Sequence, residues 1–138
     1  MNTLLNPSIF AFIGGICLLQ AASPSSPIQF KDVTSETGIT FIHTDGSEGK
    51  KRFIVESVAS GIATFDYDLD GKTDILFLNG SPLPGSRSGT REARNALYQN
   101  QGDWKFSDRT TNAGLNDTSY HLGVCVGDYN NDGFPDVF

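Results

Sequence analysis

The hydrophobic positions of this 138-residue chain fall in short runs that are separated by turn signals. The runs are rich in β-branched and aromatic residues, and Asp-Gly, Asn-Gly and similar pairs lie between them, a pattern typical of antiparallel strands. The predicted strands are 39–42, 53–58, 61–65, 75–78, 96–99, 105–107 and 122–126. No window has the pattern of a long amphipathic helix, and residues 81–94 form a polar loop. The sequence therefore predicts an all-β fold.

Two blocks of sequence recur along the chain. The pattern F-x-D-x-T-x-x-x-G, followed by an aliphatic residue, begins at Phe30 and again at Phe106. A longer block with the core D-Y-x-x-D-G-x-x-D begins at Gly61 and again at Gly123, which aligns Asp66 with Asp128. The extra residues of the first unit fall in 43–57, predicted as a surface hairpin or loop with the basic run 50–52 at its tip. Short strands with a recurring loop indicate a blade or solenoid array.

Acidic side chains are concentrated in the two loops of the longer block. The first loop has carboxylates at positions 1, 3, 5 and 9 and glycine at position 6, and the second has Asn at position 3; the residues are Asp66, Asp68, Asp70, Gly71 and Asp74, then Asp128, Asn130, Asp132, Gly133 and Asp136. Seven of the sixteen acidic residues lie there, so the rest of the chain is close to neutral. The net charge of −6 argues against nucleic acid or an anionic membrane as a partner.

This spacing of oxygen ligands predicts two calcium sites. Calcium takes six to eight oxygen ligands, and glycine at position 6 permits the reversal that turns the next backbone carbonyl, of Lys72 or Phe134, toward the ion. Magnesium prefers fewer carboxylates, and zinc or copper would need His or Cys in the cluster. An EF-hand would have Glu at position 12 and flanking helices, but position 12 of the first loop is Phe77. The alternative is a polar Asp/Gly turn without metal.

The N-terminal residues have the pattern of an export signal. Residues 1–23 carry no charged side chain, contain an apolar core and end in small residues, and a Pro/Ser stretch follows. We expect a signal peptide at 1–23 and a linker at 24–29; an uncleaved anchor or a buried helix is the alternative. Cleavage would leave Cys125 as a lone, buried thiol. The expected location is secreted, periplasmic or at the cell surface.

At the acidic loops the sequence resembles a known family. G-x-A-x-x-D-Y-D-x-D-G-x-x-D from Gly61 is similar to the calcium loops of FG-GAP or VCBS repeats, the blades of integrin-α-type propellers. The motifs from Phe30, Asn95 (N-A-L-Y-x-N) and Phe106 narrow the resemblance to bacterial proteins of the ASPIC/UnbV, or cartilage-acidic-protein-like, group. The resemblance implies a partial β-propeller with two repeats in 30–138, the second incomplete and its further blades missing. Asn130 replaces the usual Asp, which should weaken the second site.

Two classes of function follow from these observations. The first is a calcium-braced propeller segment that serves a structural, binding or adhesion role, with an extracellular protein or a glycan as its partner. The second is a propeller scaffold of a secreted hydrolase or lyase that acts on glycans or phosphodiesters. A pocket lined by His43, Tyr98 or His121 would favour the second class. No residue stands in a nucleophile motif, so no catalytic residue is predicted, and Ca²⁺ is the only expected cofactor.

Overall fold

The computed structural model describes residues 28–47, 50–58, 60–83 and 93–138. The chain divides into two compact units, residues 1–31 and 32–138, and every element described below lies in the second. The predicted signal peptide 1–23, most of the predicted linker 24–29 and most of the polar loop 81–94 lie outside the described residues. Within the part of the chain that is described, no helix has the length and apolar character needed to cross a membrane.

Two antiparallel sheets make up the strand structure of the described residues. The elements are the short helix α1 (Thr34–Thr37), a 3₁₀ helix (Ile54–Ser57) and the strands β1 (Ile62–Phe65), β2 (Asp74–Phe77), β3 (Ala96–Gly102), β4 (Lys105–Asp108), β5 (Val126–Gly127) and β6 (Asp136–Val137). The first sheet has the order β1-β2-β3-β4, and β5 pairs with β6 in the second. The mostly β, antiparallel character confirms the all-β prediction, and neither sheet closes on itself.

The two hairpins that carry the acidic loops have the same register. Phe65 is opposite Asp74 across the first loop, and Gly127 is opposite Asp136 across the second. The second pair is extended by two hydrogen bonds between Cys125 and Phe138, both of 2.9 Å. The two hairpins therefore correspond in structure at the same offset of 62 residues that aligns Asp66 with Asp128 in the sequence. The glycines that begin the two blocks also touch, since a Cβ placed on Gly61 would lie 3.1 Å from the Cα of Gly123.

The core lies on one face of the first sheet and reaches the second hairpin. Leu76, Leu78 and Leu97 are almost fully buried and form its centre. The partly buried residues packed around this centre come from both sequence repeats; they are Ala63, Phe65, Tyr67, Ala113, Leu115, Val124 and Val137. Burial of apolar side chains from both repeats in one cluster is the main force that holds the hairpins together.

The predicted strand 53–58 is wrong, because this segment contains the 3₁₀ helix instead. The Glu56 side chain turns back along the chain, and its Oε2 accepts the backbone N–H of Arg52 at 2.5 Å and that of Phe53 at 3.0 Å. These bonds close a tight turn that an extended strand could not make, and they lower the pKa of the Glu56 carboxyl. The basic run 50–52 is exposed, and within it Lys51 pairs with Asp45 and donates to the Glu56 carbonyl.

Residues 39–42 were predicted as a strand, but they join no sheet. The segment lies against the first sheet instead: the Phe41 ring stacks on Phe77 with centroids 4.7 Å apart, and the Thr40 N–H donates to the Tyr98 hydroxyl at 3.1 Å. Ile39 and Phe41 are partly buried, whereas Thr40 and Ile42 are exposed. Of the predicted strand 122–126, only Val126 is in β5.

Asn79 connects the chain segments around the end of β2. It is 4% exposed, and its side chain accepts the Thr44 N–H at 2.7 Å and donates to the carbonyls of Ile42 and Arg94. Its backbone N–H donates to the side chain of Asn95 at 3.0 Å. One buried amide thus joins segments up to 37 residues apart in sequence, and satisfies polar groups that burial would otherwise leave without partners.

Cys125 is exposed, which corrects the prediction that this thiol is buried. Its neighbours Val124 and Val126 are the residues of this stretch that are partly buried. Side chains alternate between the two faces of an extended segment, so a thiol between two inward-facing valines points outward. Alternation, and not residue type, determines its exposure.

Candidate metal centre

The first acidic loop is shaped by its own side chains. Asp66, directly after β1, accepts the N–H of Asp70 at 3.0 Å and that of Gly71 at 2.8 Å, one on each carboxylate oxygen. Gly71 has φ +83°, a conformation that glycine adopts without steric cost. These bonds wrap the backbone around the first carboxylate and bring the following side chains to the same side of the loop.

Asp74 is the buried carboxylate of the site. It begins β2, it is 0% exposed, and its two oxygens accept the N–H of Tyr67 at 2.9 Å and that of Asn100 at 2.6 Å. The first bond closes the loop and the second joins it to β3. The aspartate at position 9 therefore fixes the loop to the sheet. Buried polar groups whose hydrogen bonds are all satisfied make a structure more rigid in this way.

Three of the four predicted carboxylates of this loop converge. Ligand oxygens of Asp66, Asp68 and Asp74 all lie within 4.8 Å of one another. Two oxygens that bind one calcium ion at about 2.3–2.6 Å are at most about 5 Å apart, so the group has a suitable size. This cluster of hard oxygen donors could hold a metal ion of the calcium or magnesium type.

Asp70 lies outside that cluster. Its Oδ2 pairs with the Lys72 ammonium at 2.6 Å, and its Oδ1 accepts the Lys72 N–H at 2.9 Å. The ion pair raises the pKa of Lys72 and lowers the pKa of Asp70. The lysine whose backbone carbonyl is predicted as a ligand thus neutralises a neighbouring predicted ligand with its side chain.

The second loop repeats the backbone pattern of the first. Asp128 accepts the N–H of Asp132 at 3.0 Å and that of Gly133 at 2.8 Å, and Asp136 accepts the N–H of Tyr129 at 3.0 Å. The Phe134 N–H donates to Asp132 Oδ1 at 2.9 Å. Each of these bonds has its counterpart, at the same offset, in the first loop.

The side chains of the second loop are arranged differently. Asn130, at position 3, donates from its amide to Asp132 Oδ2 and accepts the Asp132 N–H, each at 3.0 Å. Asp136 is only partly buried, unlike Asp74. Tyr129 is 75% exposed and packs edge-on against Phe138, whereas Tyr67 packs on the core. Among the described residues, a convergent acidic group forms at the first loop and not at the second.

Position 4 of each loop has a backbone conformation that sequence reasoning missed. Leu69 has φ +60° and Asn131 has φ +58°, both in the left-handed region. Asparagine tolerates this region, but leucine there carries a steric cost. The Asn-Asn pair of the second loop was a detectable signal for a left-handed residue, whereas nothing in the leucine of the first loop indicates it.

The residues considered for catalysis line three different cavities in the described part of the chain. Tyr98 lines a cavity of about 160 Å³ with Phe41 and Asn79, and His121 lines one of about 210 Å³ with apolar side chains. His43 lines a third, of about 370 Å³. Each of these three residues therefore lines a cavity of its own.

The repeated F-x-D-x-T block has the same aspartate-to-threonine hydrogen bond at its two copies. Asp32 accepts the Thr34 N–H at 2.9 Å, and Asp108 accepts the Thr110 N–H at 3.0 Å. Burial alone would raise the pKa of Asp108, but hydrogen bonds from Thr110 and Arg94 lower it below the usual aspartate value. Both aspartates therefore act as structural acceptors that start a turn, and not as ligands.

Comparison with known proteins agrees with these repeats. A family model described as FG-GAP-like repeat matches residues 66–138, which is more than half of the chain. The match begins at the first carboxylate of the first loop and includes the whole of the second. No curated protein and no solved structure gave a significant match.

Proposed function

The chain belongs to the FG-GAP-like repeat family, and on this premise we propose that it is part of an exported β-propeller whose blade loops are held by calcium. The observation that carries the proposal is the convergence of Asp66, Asp68 and Asp74, one of which is completely buried. Like charges held this close repel one another in the absence of a cation.

The first loop has the better ligand set. Asp66, Asp68 and Asp74 would hold the ion, joined by Asp70 and the Lys72 carbonyl if the Asp70–Lys72 pair opens. When bound, calcium supplies neutralisation of the clustered negative charge. The second loop would use Asp128, Asn130, Asp132, Asp136 and the Phe134 carbonyl. Its neutral amide at position 3 makes it the weaker site.

The wider assignment rests on the motifs. The blocks from Phe30, Asn95 and Phe106 support membership of the ASPIC/UnbV group, with a signal peptide at 1–23, a linker at 24–29 and repeats in 30–138. Family membership and the paired hairpins support a propeller in which these units are blades. The proposed role is structural or adhesive, outside the cytoplasm, with an extracellular protein or a glycan as the partner of the assembled propeller.

Thermal unfolding of the 138-residue chain in calcium and in EGTA tests the proposal. Extracellular sites with a Kd of about 10⁻⁴–10⁻³ M contribute roughly 0.4–1.4 kcal/mol each at millimolar calcium, so the melting temperature should rise by several degrees. Asp66→Asn should remove most of the stabilisation that calcium gives through the first loop, and sodium chloride at equal ionic strength is the control. An identical melting temperature in calcium and EGTA would refute the proposal.

A further inference from the structure

Gln99 is placed to orient one of the converging carboxylates. It lies in β3, beside the first loop, and its side-chain Nε2 donates to Asp68 Oδ2. Asp68 is an exposed residue whose side chain would otherwise sample several rotamers. This contact holds it on the side of the loop where Asp66 and Asp74 lie.

Arg109 in turn fixes the orientation of the Gln99 amide. Its Nε donates to Gln99 Oε1 at 2.8 Å, and its backbone N–H donates to the Leu97 carbonyl at 2.8 Å. A guanidinium can only donate and a carboxylate can only accept, so the amide between them has one orientation that satisfies both neighbours. The oxygen faces Arg109 and the NH₂ group faces Asp68.

We propose that Gln99 and Arg109 are positioning residues of the first metal loop, which form a relay that pre-orients Asp68 for the cation. In this relay Gln99, in β3, donates to Asp68 Oδ2, and Arg109, directly after β4, donates to Gln99. Residues outside the loop thus contribute to the site. It rests on the proposed function, because it matters only if the loop binds an ion. Ligands held before binding lose less conformational entropy when the ion arrives, which raises affinity.

The second loop supports this assignment by contrast. Its position 3 is Asn130, which is held by Asp132 inside the loop. Position 3 is therefore held by a side chain of β3 in the first loop and from within the loop in the second.

Calcium titration of the full chain tests the relay, with isothermal calorimetry as the readout. Asp128→Asn, present in every sample, disables the second loop so that one site is measured. Gln99→Met keeps the length of the side chain but removes its donor, and it should weaken binding about tenfold, as loss of a hydrogen bond to a metal-ligating group does. Gln101→Ala, two residues along the same strand and exposed, is the matched control and should leave the affinity unchanged.

A double-mutant cycle separates a relay from two independent contacts. Arg109→Met alone should weaken binding, but it should add nothing in the Gln99→Met background. Melting temperatures in EGTA show whether the variants fold, and a loss of stability without a change in calcium Kd would overturn the relay. If the parent chain binds no calcium, the proposed function fails; if the parent binds and Gln99→Met binds equally well, the relay alone fails.

Discussion

Replacing Asp74 with alanine in the metal-free protein should destabilise the fold far more than the matched change at Asp136. Both residues stand at position 9 of their loops and both accept a backbone N–H from position 2. Asp74 is fully buried and accepts a second N–H, from Asn100, whereas Asp136 is only partly buried. The comparison keeps residue type and loop position constant and changes burial and the number of bonds.

The expected magnitude follows from the bonds that are broken. Each buried backbone N–H left without an acceptor costs about 1–3 kcal/mol, so the two bonds of Asp74 give roughly 2–6 kcal/mol. Relief of repulsion from Asp66 and Asp68 offsets about 1 kcal/mol of this. The net loss should be about 1–5 kcal/mol for Asp74→Ala and at most about 1 kcal/mol for Asp136→Ala, whose single donor can bond to water instead.

Urea unfolding in EGTA, followed by far-ultraviolet circular dichroism, measures both losses. Chelation matters because bound metal would add its own contribution to the difference. Asp74→Asn serves as the second variant: it keeps one acceptor and should lie between the wild type and Asp74→Ala, so a complete loss of folding in the alanine variant still leaves a measurable value. Equal losses for Asp74→Ala and Asp136→Ala would refute the role assigned to the buried bonds.

Three further outcomes are expected. Leu69→Asn should raise the free energy of unfolding by about 0.5–1 kcal/mol, because asparagine tolerates left-handed backbone, and Asn131→Leu should lower it similarly; urea unfolding that moves the two variants in the same direction contradicts this. Lys72→Met should tighten calcium binding about three- to tenfold, since a unit positive charge close to a divalent ion in water contributes about 1 kcal/mol of repulsion. Calorimetry that finds weaker binding would refute this expectation. The lowered pKa of Asp108 gives stability that is complete above the unfolded aspartate pKa of about 3.9 and is lost as the pH falls through the lower folded value. Asp108→Asn should therefore flatten the melting-temperature profile between about pH 2 and 4, and an unchanged slope would show that this carboxyl is not responsible.

The acidic loops could be predicted from sequence because their information is local. Asp66 wraps the backbone of the five residues that follow it, and glycine at position 6 supplies the left-handed turn that the wrapping needs. Both features are visible in the sequence as particular residue types at a fixed spacing. Because the block is repeated, the same features are predicted at Asp128 and Gly133, where the structure has the same hydrogen bonds.

Features that depend on distant partners could not be predicted in this way. The burial of Asp74 comes from β3, which lies beyond the polar loop, and the pairing of Asp70 with Lys72 is a rotamer choice that spacing does not specify. The hydrophobic residues within 53–58 fit a strand pattern. The carboxylate of Glu56, however, accepts the backbone N–H groups of Arg52 and Phe53, and the segment forms a 3₁₀ turn. Sequence periodicity describes which residues are buried and says little about which group accepts a given N–H.

The equal register of the two hairpins has a consequence for folding. Each acidic loop closes between strands that are neighbours in sequence, as Phe65–Asp74 and Gly127–Asp136 show. Closing so short a loop costs little chain entropy, whereas the Asn79 network must bring together segments up to 37 residues apart. Low contact order favours early formation, so the hairpins should assemble before the network does. Substitutions inside a loop would then slow folding, and substitutions at Asn79 would mainly speed unfolding.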